Sequence, residues 1–121
     1  MLVFYNRAKE LSDKINFKTG RIRAYFNISY ILNLQGQYQK GLYVNIQSIR
    51  EAYLLKNELL LSKSFFNLAN SHNYLNNYGK AIKNYEVAAQ YFIKTKNKQY
   101  LAILYRNIAT CYNNSTNSII I

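Results

Sequence analysis

Proline and tryptophan are absent from this chain of 121 residues, glycine occurs four times, and cysteine and histidine once each. With no proline and few glycines, turn-rich β-sandwiches lose their usual punctuation, and helices with short connections are expected. A single cysteine excludes a disulfide framework and suits a reducing compartment, so a cytoplasmic location is expected. Acidic residues are scarce too: Glu10, Asp13, Glu51, Glu58 and Glu86 are spread along the chain. They leave little for carboxylate-pair hydrolysis or a carboxylate metal site. No stretch approaches the roughly 20 apolar residues that cross a bilayer, so no membrane partner is expected. The opening MLVFYNRAKEL lacks the long apolar run and small-residue cleavage site of a signal peptide.

Several features are abundant instead. Half of the residues are hydrophobic, 13 are tyrosine and 17 asparagine, and 16 Lys and Arg face five acids for a net charge of +11. The length suits one domain or less, and a charged fraction of 17% is too low for a disordered polyelectrolyte.

The chain repeats itself. A shift of 40 residues lays AYFNISYILNLQGQYQK (24–40) over SFFNLANSHNYLNNYGK (64–80), with LYRNIATCYNN (104–114) next at the same interval. Asn27, Asn67 and Asn107 coincide, as do Asn33, Asn73 and Asn113. Tyr5, Ala8 and Asn27 fall in phase with Tyr85, Ala88 and Asn107. Within a unit the spacing is helical: Tyr25, Ile28, Ser29 and Leu32 follow i, i+3, i+4, i+7, and so do Phe65, Leu68, Ala69 and His72. Breaks are expected at Thr19-Gly20, Gln35-Gly36-Gln37, Asn57, Asn76-Asn77 and Asn97. The pattern predicts six helices, near 2–16, 21–35, 38–56, 59–75, 78–95 and 99–113, in a single domain over 1–114. Residues 115–121 are expected to form a flexible tail.

The signature Phe65, Leu68, Ala69, His72, Ala81, Tyr85 and Ala88 resembles the tetratricopeptide repeat. The preceding unit carries it as Tyr25, Ile28, Ser29, Leu32, Gly41, Asn45 and Ser48, with Asn45 departing from the aromatic. Tyr105, Ile108, Ala109 and Tyr112 repeat only a first helix, Tyr5 and Ala8 only a second. The usual proline is missing, and the 40-residue period is longer than the common one of about 34. In period and asparagine placement the chain resembles the long repeats of bacterial peptide-pheromone receptors, of the Rap type and PlcR type. The resemblance implies an all-α solenoid of antiparallel helices, two full repeats flanked by two half repeats. It also implies a concave groove lined by the first helix of each pair.

Groove positions expected on those first helices are Arg23, Phe26, Asn27 and Tyr30, then Lys63, Phe66, Asn67 and Asn70, then Arg106 and Asn107. A side-chain amide both donates and accepts, which suits the backbone of an extended peptide. Aromatic side chains offer pockets, and Arg23, Lys63 and Arg106 add positive charge for an acidic segment or a terminal carboxylate.

His72 occupies a packing position, and Cys111 has no second cysteine or nearby acid to form a nucleophile–base set. Gly20, Gly36, Gly41 and Gly79 are isolated and build no phosphate loop. No catalytic residue, metal or cofactor is therefore expected. Lys80, Lys83, Lys94, Lys96 and Lys98 fall on second helices and turns, not in one stripe, so no specific nucleic-acid partner is expected. The sequence opens in the phase of a second helix and closes after a first helix. That points to a segment of a longer superhelix or to pairing through open ends, most simply as a twofold homodimer. The expected function is non-catalytic binding of a peptide or protein segment. The alternatives are the peptide-sensing portion of a transcriptional or phosphatase regulator, and a structural self-assembly module.

Overall fold

The computed structural model describes residues 2–120, with the side chains of all of these except 2, 4, 5, 12 and 117–120. The chain is all-α, and no strand occurs among the described residues. Five helices follow one another: α1 (Leu2–Leu34), α2 (Tyr38–Leu55), α3 (Glu58–Tyr74), α4 (Tyr78–Lys94) and α5 (Lys98–Ile120). Each packs on the next in the chain, and α3 also touches α1, in the manner of a repeat-like solenoid.

The reversals between helices are made by one device, used four times. Gly36, Lys56, Asn76 and Lys96 have positive φ, between 57° and 76°, at a strict interval of 20 residues. Each left-handed residue donates its N–H to the carbonyl three residues back, and the next residue donates to the carbonyl five back. At the last turn these are Lys96 to Ile93 at 3.1 Å and Asn97 to Phe92 at 2.8 Å. This is the Schellman arrangement that satisfies otherwise orphaned carbonyls at a helix end. The second residue then opens the following helix: the Asn97 carbonyl accepts from Leu101 N–H at 3.2 Å. At two turns its side chain also caps, with Asn57 Oδ1 accepting from Leu60 N–H at 3.0 Å and Asn97 Oδ1 from Tyr100 N–H at 3.2 Å.

Two boundaries differ from those the sequence predicts. Residues 2–16 and 21–35 form one helix of 33 residues, α1, with no reversal at Thr19-Gly20. At the 20-residue interval an earlier turn would fall at Asn16-Phe17, but the helix runs through both residues without a break. Gly20 sits inside the helix with open space around it, and one interior glycine costs only about 1 kcal/mol. The corresponding later turn would fall at Thr116-Asn117, where a β-branched residue resists positive φ. Thr116 Oγ1 instead donates to the Tyr112 carbonyl at 2.9 Å, one turn back in the helix. The segment expected as a tail is helical to Ile120; residue 121 and the side chains of the apolar end Ser118–Ile121 lie outside the described residues.

The interior has two apolar centres. Phe66, Ala69, Ala81, Tyr85, Ala88, Phe92, Leu104 and Cys111 join α3, α4 and α5. Ile22, Ala52, Leu60 and Leu61 join α1, α2 and α3. With a rise of about 1.5 Å per residue, α1 is about 50 Å long and α2 about 27 Å. The first half of α1 therefore extends past its neighbour, and every described side chain from Val3 to Lys18 is exposed.

The turn geometry has a measurable consequence. Lysine pays a steric penalty in the left-handed region that glycine does not. Lys96→Gly is expected to stabilise the fold by about 0.5–1 kcal/mol in urea unfolding, and a loss of stability would contradict the assigned turn.

Candidate functional site

The asparagines in phase at Asn27, Asn67 and Asn107 have three different surroundings. Asn67 is 1% exposed, at the centre of a polar seam where α3 meets α1 and α2. Its Nδ2 donates to Ser29 Oγ, to Asn45 Oδ1 at 3.3 Å and, more weakly, towards the Phe26 carbonyl at 3.5 Å. Asn33 Nδ2 approaches Asn67 Oδ1 at 3.5 Å, while Asn33 Oδ1 accepts from Ser71 Oγ at 2.9 Å. Ser29 Oγ lies 2.9 Å from Asn45 Oδ1, and the Ser48 and Ser64 hydroxyls meet at 2.7 Å. All of these side chains are buried, and Asn45 Nδ2 is left without a partner.

The same packing recurs 40 residues later with the polarity removed. Ala69, Tyr85, Cys111, Ala88 and Leu104 stand where the first unit has Ser29, Asn45, Ser71, Ser48 and Ser64. The Tyr85 ring occupies in this unit the position that Asn45 holds in the first, and its hydroxyl donates to Asn70 Oδ1. Asn107 Nδ2 donates to the same oxygen at 3.2 Å. Burial pushes the Tyr85 phenol well above its ordinary range and raises the Cys111 thiol as well, which favours the protonated form of both. A buried protonated thiol is a packing group rather than a nucleophile. His72, half-buried with Nδ1 unpartnered, has its pKa lowered first by desolvation and then by Lys80.

The expected groove is accordingly smaller than the sequence implies. Phe66 is in the aromatic core, its ring centroid 5.8 Å from Tyr85 and 5.6 Å from Tyr100, and cannot pocket a ligand. Asn67 is occupied by the seam. Both expectations assumed that α3 has one buried face and one open face. As the central helix it is flanked by α1, α2 and α4, and Leu60, Leu61, Ser62, Ser64, Phe66, Asn67, Leu68, Ala69 and Ser71 are all buried. Arg23, Asn27, Tyr30 and Arg106 are exposed; Phe26, Lys63, Asn70 and Asn107 are half-buried. The Lys63 Nζ stands 5.6 Å from the centroid of the Tyr100 ring, within cation–π range. Asn70 and Asn107 are joined by their hydrogen bond, which links α3 to α5.

Sequence reasoning missed the seam itself. Its trace was the set of Ser29, Asn45, Ser48, Ser64 and Ser71, polar together where the next unit is apolar together. Among the described residues there is no cluster of three or more His, Cys, Asp or Glu side chains, and no helix is long and apolar enough to cross a membrane.

Two substitutions test this assignment. Asn67→Ala is expected to destabilise the fold by about 2 kcal/mol in urea unfolding, because it strands buried partners at Ser29 and Asn45. An Asn67→Ala protein as stable as the parent would contradict the seam. A Cβ on Gly41 would fall 2.6 Å from Asn33 Oδ1, which Ser71 holds in place, whereas one on Gly79 meets nothing within 4 Å. Gly41→Ala is thus expected to lower the melting temperature and Gly79→Ala to raise it, each by an amount equivalent to about 1 kcal/mol.

No family model matches the chain, and no curated protein matches it.

Proposed function

We propose that the chain is a non-catalytic, tetratricopeptide-like binding module that holds an extended, acidic protein segment along its first helices. The observation that carries the reading is a set of cations without an ion-pair partner among the described residues. Arg23 and Lys63 occupy the same position in successive units, and Arg106 lies on the next first helix. The ion pairs among the described residues are Arg21–Glu51 and Lys94–Glu58, and neither includes these three. Exposed Asn27 and Tyr30, and half-buried Phe26, lie beside Arg23 on α1.

Single exposed ion pairs contribute only about 0–1 kcal/mol. Charge along this surface would therefore choose the partner and speed its approach, while the aromatic side chains supply contact area. The amide of Asn27, exposed on α1, takes the backbone-holding role expected of all three asparagines.

The reading is testable with two fluorescein-labelled decapeptide pools of matched aromatic content, one rich in Asp and Glu, the other in Lys and Arg. The acidic pool is expected to bind at physiological salt, and Arg23→Glu with Arg106→Glu to weaken it at least tenfold at unchanged helicity. Lys83→Glu, on the exposed side of α4, should weaken it much less. Equal binding of the two pools would show that charge does not select the partner, and an equal effect of Lys83→Glu would reduce the surface to generic electrostatic attraction; either overturns the reading.

A further inference from the structure

The two ends of the helical array carry complementary halves of one unit. On α1 and α3 one face of the first helix is covered by the second helix of its pair. That face is Tyr25, Ser29 and Leu32 in α1, and Phe65, Ala69 and His72 in α3; Ser29 and Ala69 are fully buried. The α5 counterparts, Tyr105, Ala109 and Tyr112, are all exposed, and among the described residues no helix lies over them. These residues are spaced i, i+4, i+7, so they form a single stripe.

The covering helices present Asn45, Ser48 and Ala52 in α2, and Tyr85, Ala88 and Phe92 in α4, each fully buried. The same positions recur a third time as Tyr5, Ala8 and Ser12, in the first half of α1. Among the described residues that half-helix covers no other helix, since α1 runs straight through Gly20 instead of folding back. Leu11, 60% exposed, stands in register with Tyr91, and Tyr105 in register with Phe65. Tyr91 and Phe65 stack inside the molecule with centroids 6.3 Å apart.

The geometry points to a second copy of this chain as the occupant of the α5 stripe: the arm of α1 (residues 3–18) from one copy seats on α5 of another. The arm then does between chains what α4 does for α3 within one. Leu11 of one copy lies against Tyr105 of the other, and Ala8 approaches Ala109 as Ala88 approaches Ala69 within one apolar cluster. The contact is heterologous, joining two different surfaces, and it follows the logic of a swapped element. Its chemistry is apolar, so it persists at salt concentrations that screen the net charge of +11. It does not depend on the acidic-segment reading: Arg23 lies outside the arm, and Arg106, though next to Tyr105 on α5, is not one of the stripe residues.

The test uses the full chain of 121 residues in light scattering and in disulfide trapping. At about 100 µM the parent is expected to show a mass of at least twice 14.2 kDa, and Leu11→Glu to return it to 14.2 kDa with unchanged helicity. Leu11 is exposed within one chain, so its replacement leaves the fold intact. For trapping, one preparation carries Leu11→Cys and another Tyr105→Cys. Mixed under mild oxidant, they are expected to form a cross-chain disulfide at least tenfold more than Leu11→Cys mixed with Tyr43→Cys, an exposed control on α2. Buried Cys111 stays out of the reaction. A parent that remains at 14.2 kDa at about 100 µM, trapping no greater than the Tyr43→Cys control, or a dominant disulfide between two Leu11→Cys arms would overturn the assignment.

Discussion

Everything in this architecture depends on a two-residue reversal in which the second residue closes one helix and opens the next. Asn57, Asn77, Asn97 and Gln37 each donate an N–H to the outgoing helix and offer a carbonyl to the incoming one. Because the same residue serves both helices, no loop separates them and their axes must lie side by side. The 20-residue interval then makes α2, α3 and α4 almost equal in length, at 18, 17 and 17 residues, so neighbours pack along their whole extent. At the equivalent positions Asn16-Phe17 and Thr116-Asn117 no reversal forms and the helix continues.

Between the reversals, one packing scheme is written in two chemistries. Around Asn67 the contacts are hydroxyls and amides; around Tyr85 they are alanine, leucine, cysteine and aromatic rings. A net hydrogen bond contributes only about 1 kcal/mol, so the polar seam adds less to stability than equal apolar burial would. Its strength lies in direction. Sliding α3 along α1 by one turn would break the bonds of Asn67, Asn33 and Ser71 across the interface together and orphan the two buried amides at about 1–3 kcal/mol each, whereas an apolar face tolerates such slippage more easily.

The helices that end in reversals were legible to within a residue or two, because Gly36, Asn57, Asn76-Asn77 and Asn97 announce themselves as turn residues. The long ends were not. Gly20 carries the same local signal as Gly36, and what separates them is that Gly20 falls outside the 20-residue interval kept by Gly36, Lys56, Asn76 and Lys96. The asparagine columns were legible as ordered, yet their direction was misread. Periodicity identifies a shared face without saying whether solvent, a ligand or another helix lies opposite, and for Asn67 it was α1. Of the cations, Arg23 and Arg106 are exposed and Lys63 is half-buried, and none of the three forms an ion pair among the described residues.

The spacing of the left-handed residues also constrains how such a chain can change. A helix turns about 100° per residue, so deleting one residue between Lys56 and Asn76 would rotate everything after α3 by that angle and swing Tyr85 and Phe92 out of the interior. Adding 40 residues as a block would preserve every face. The molecule is in this sense metrical: it can grow by whole stanzas, but it cannot lose a syllable.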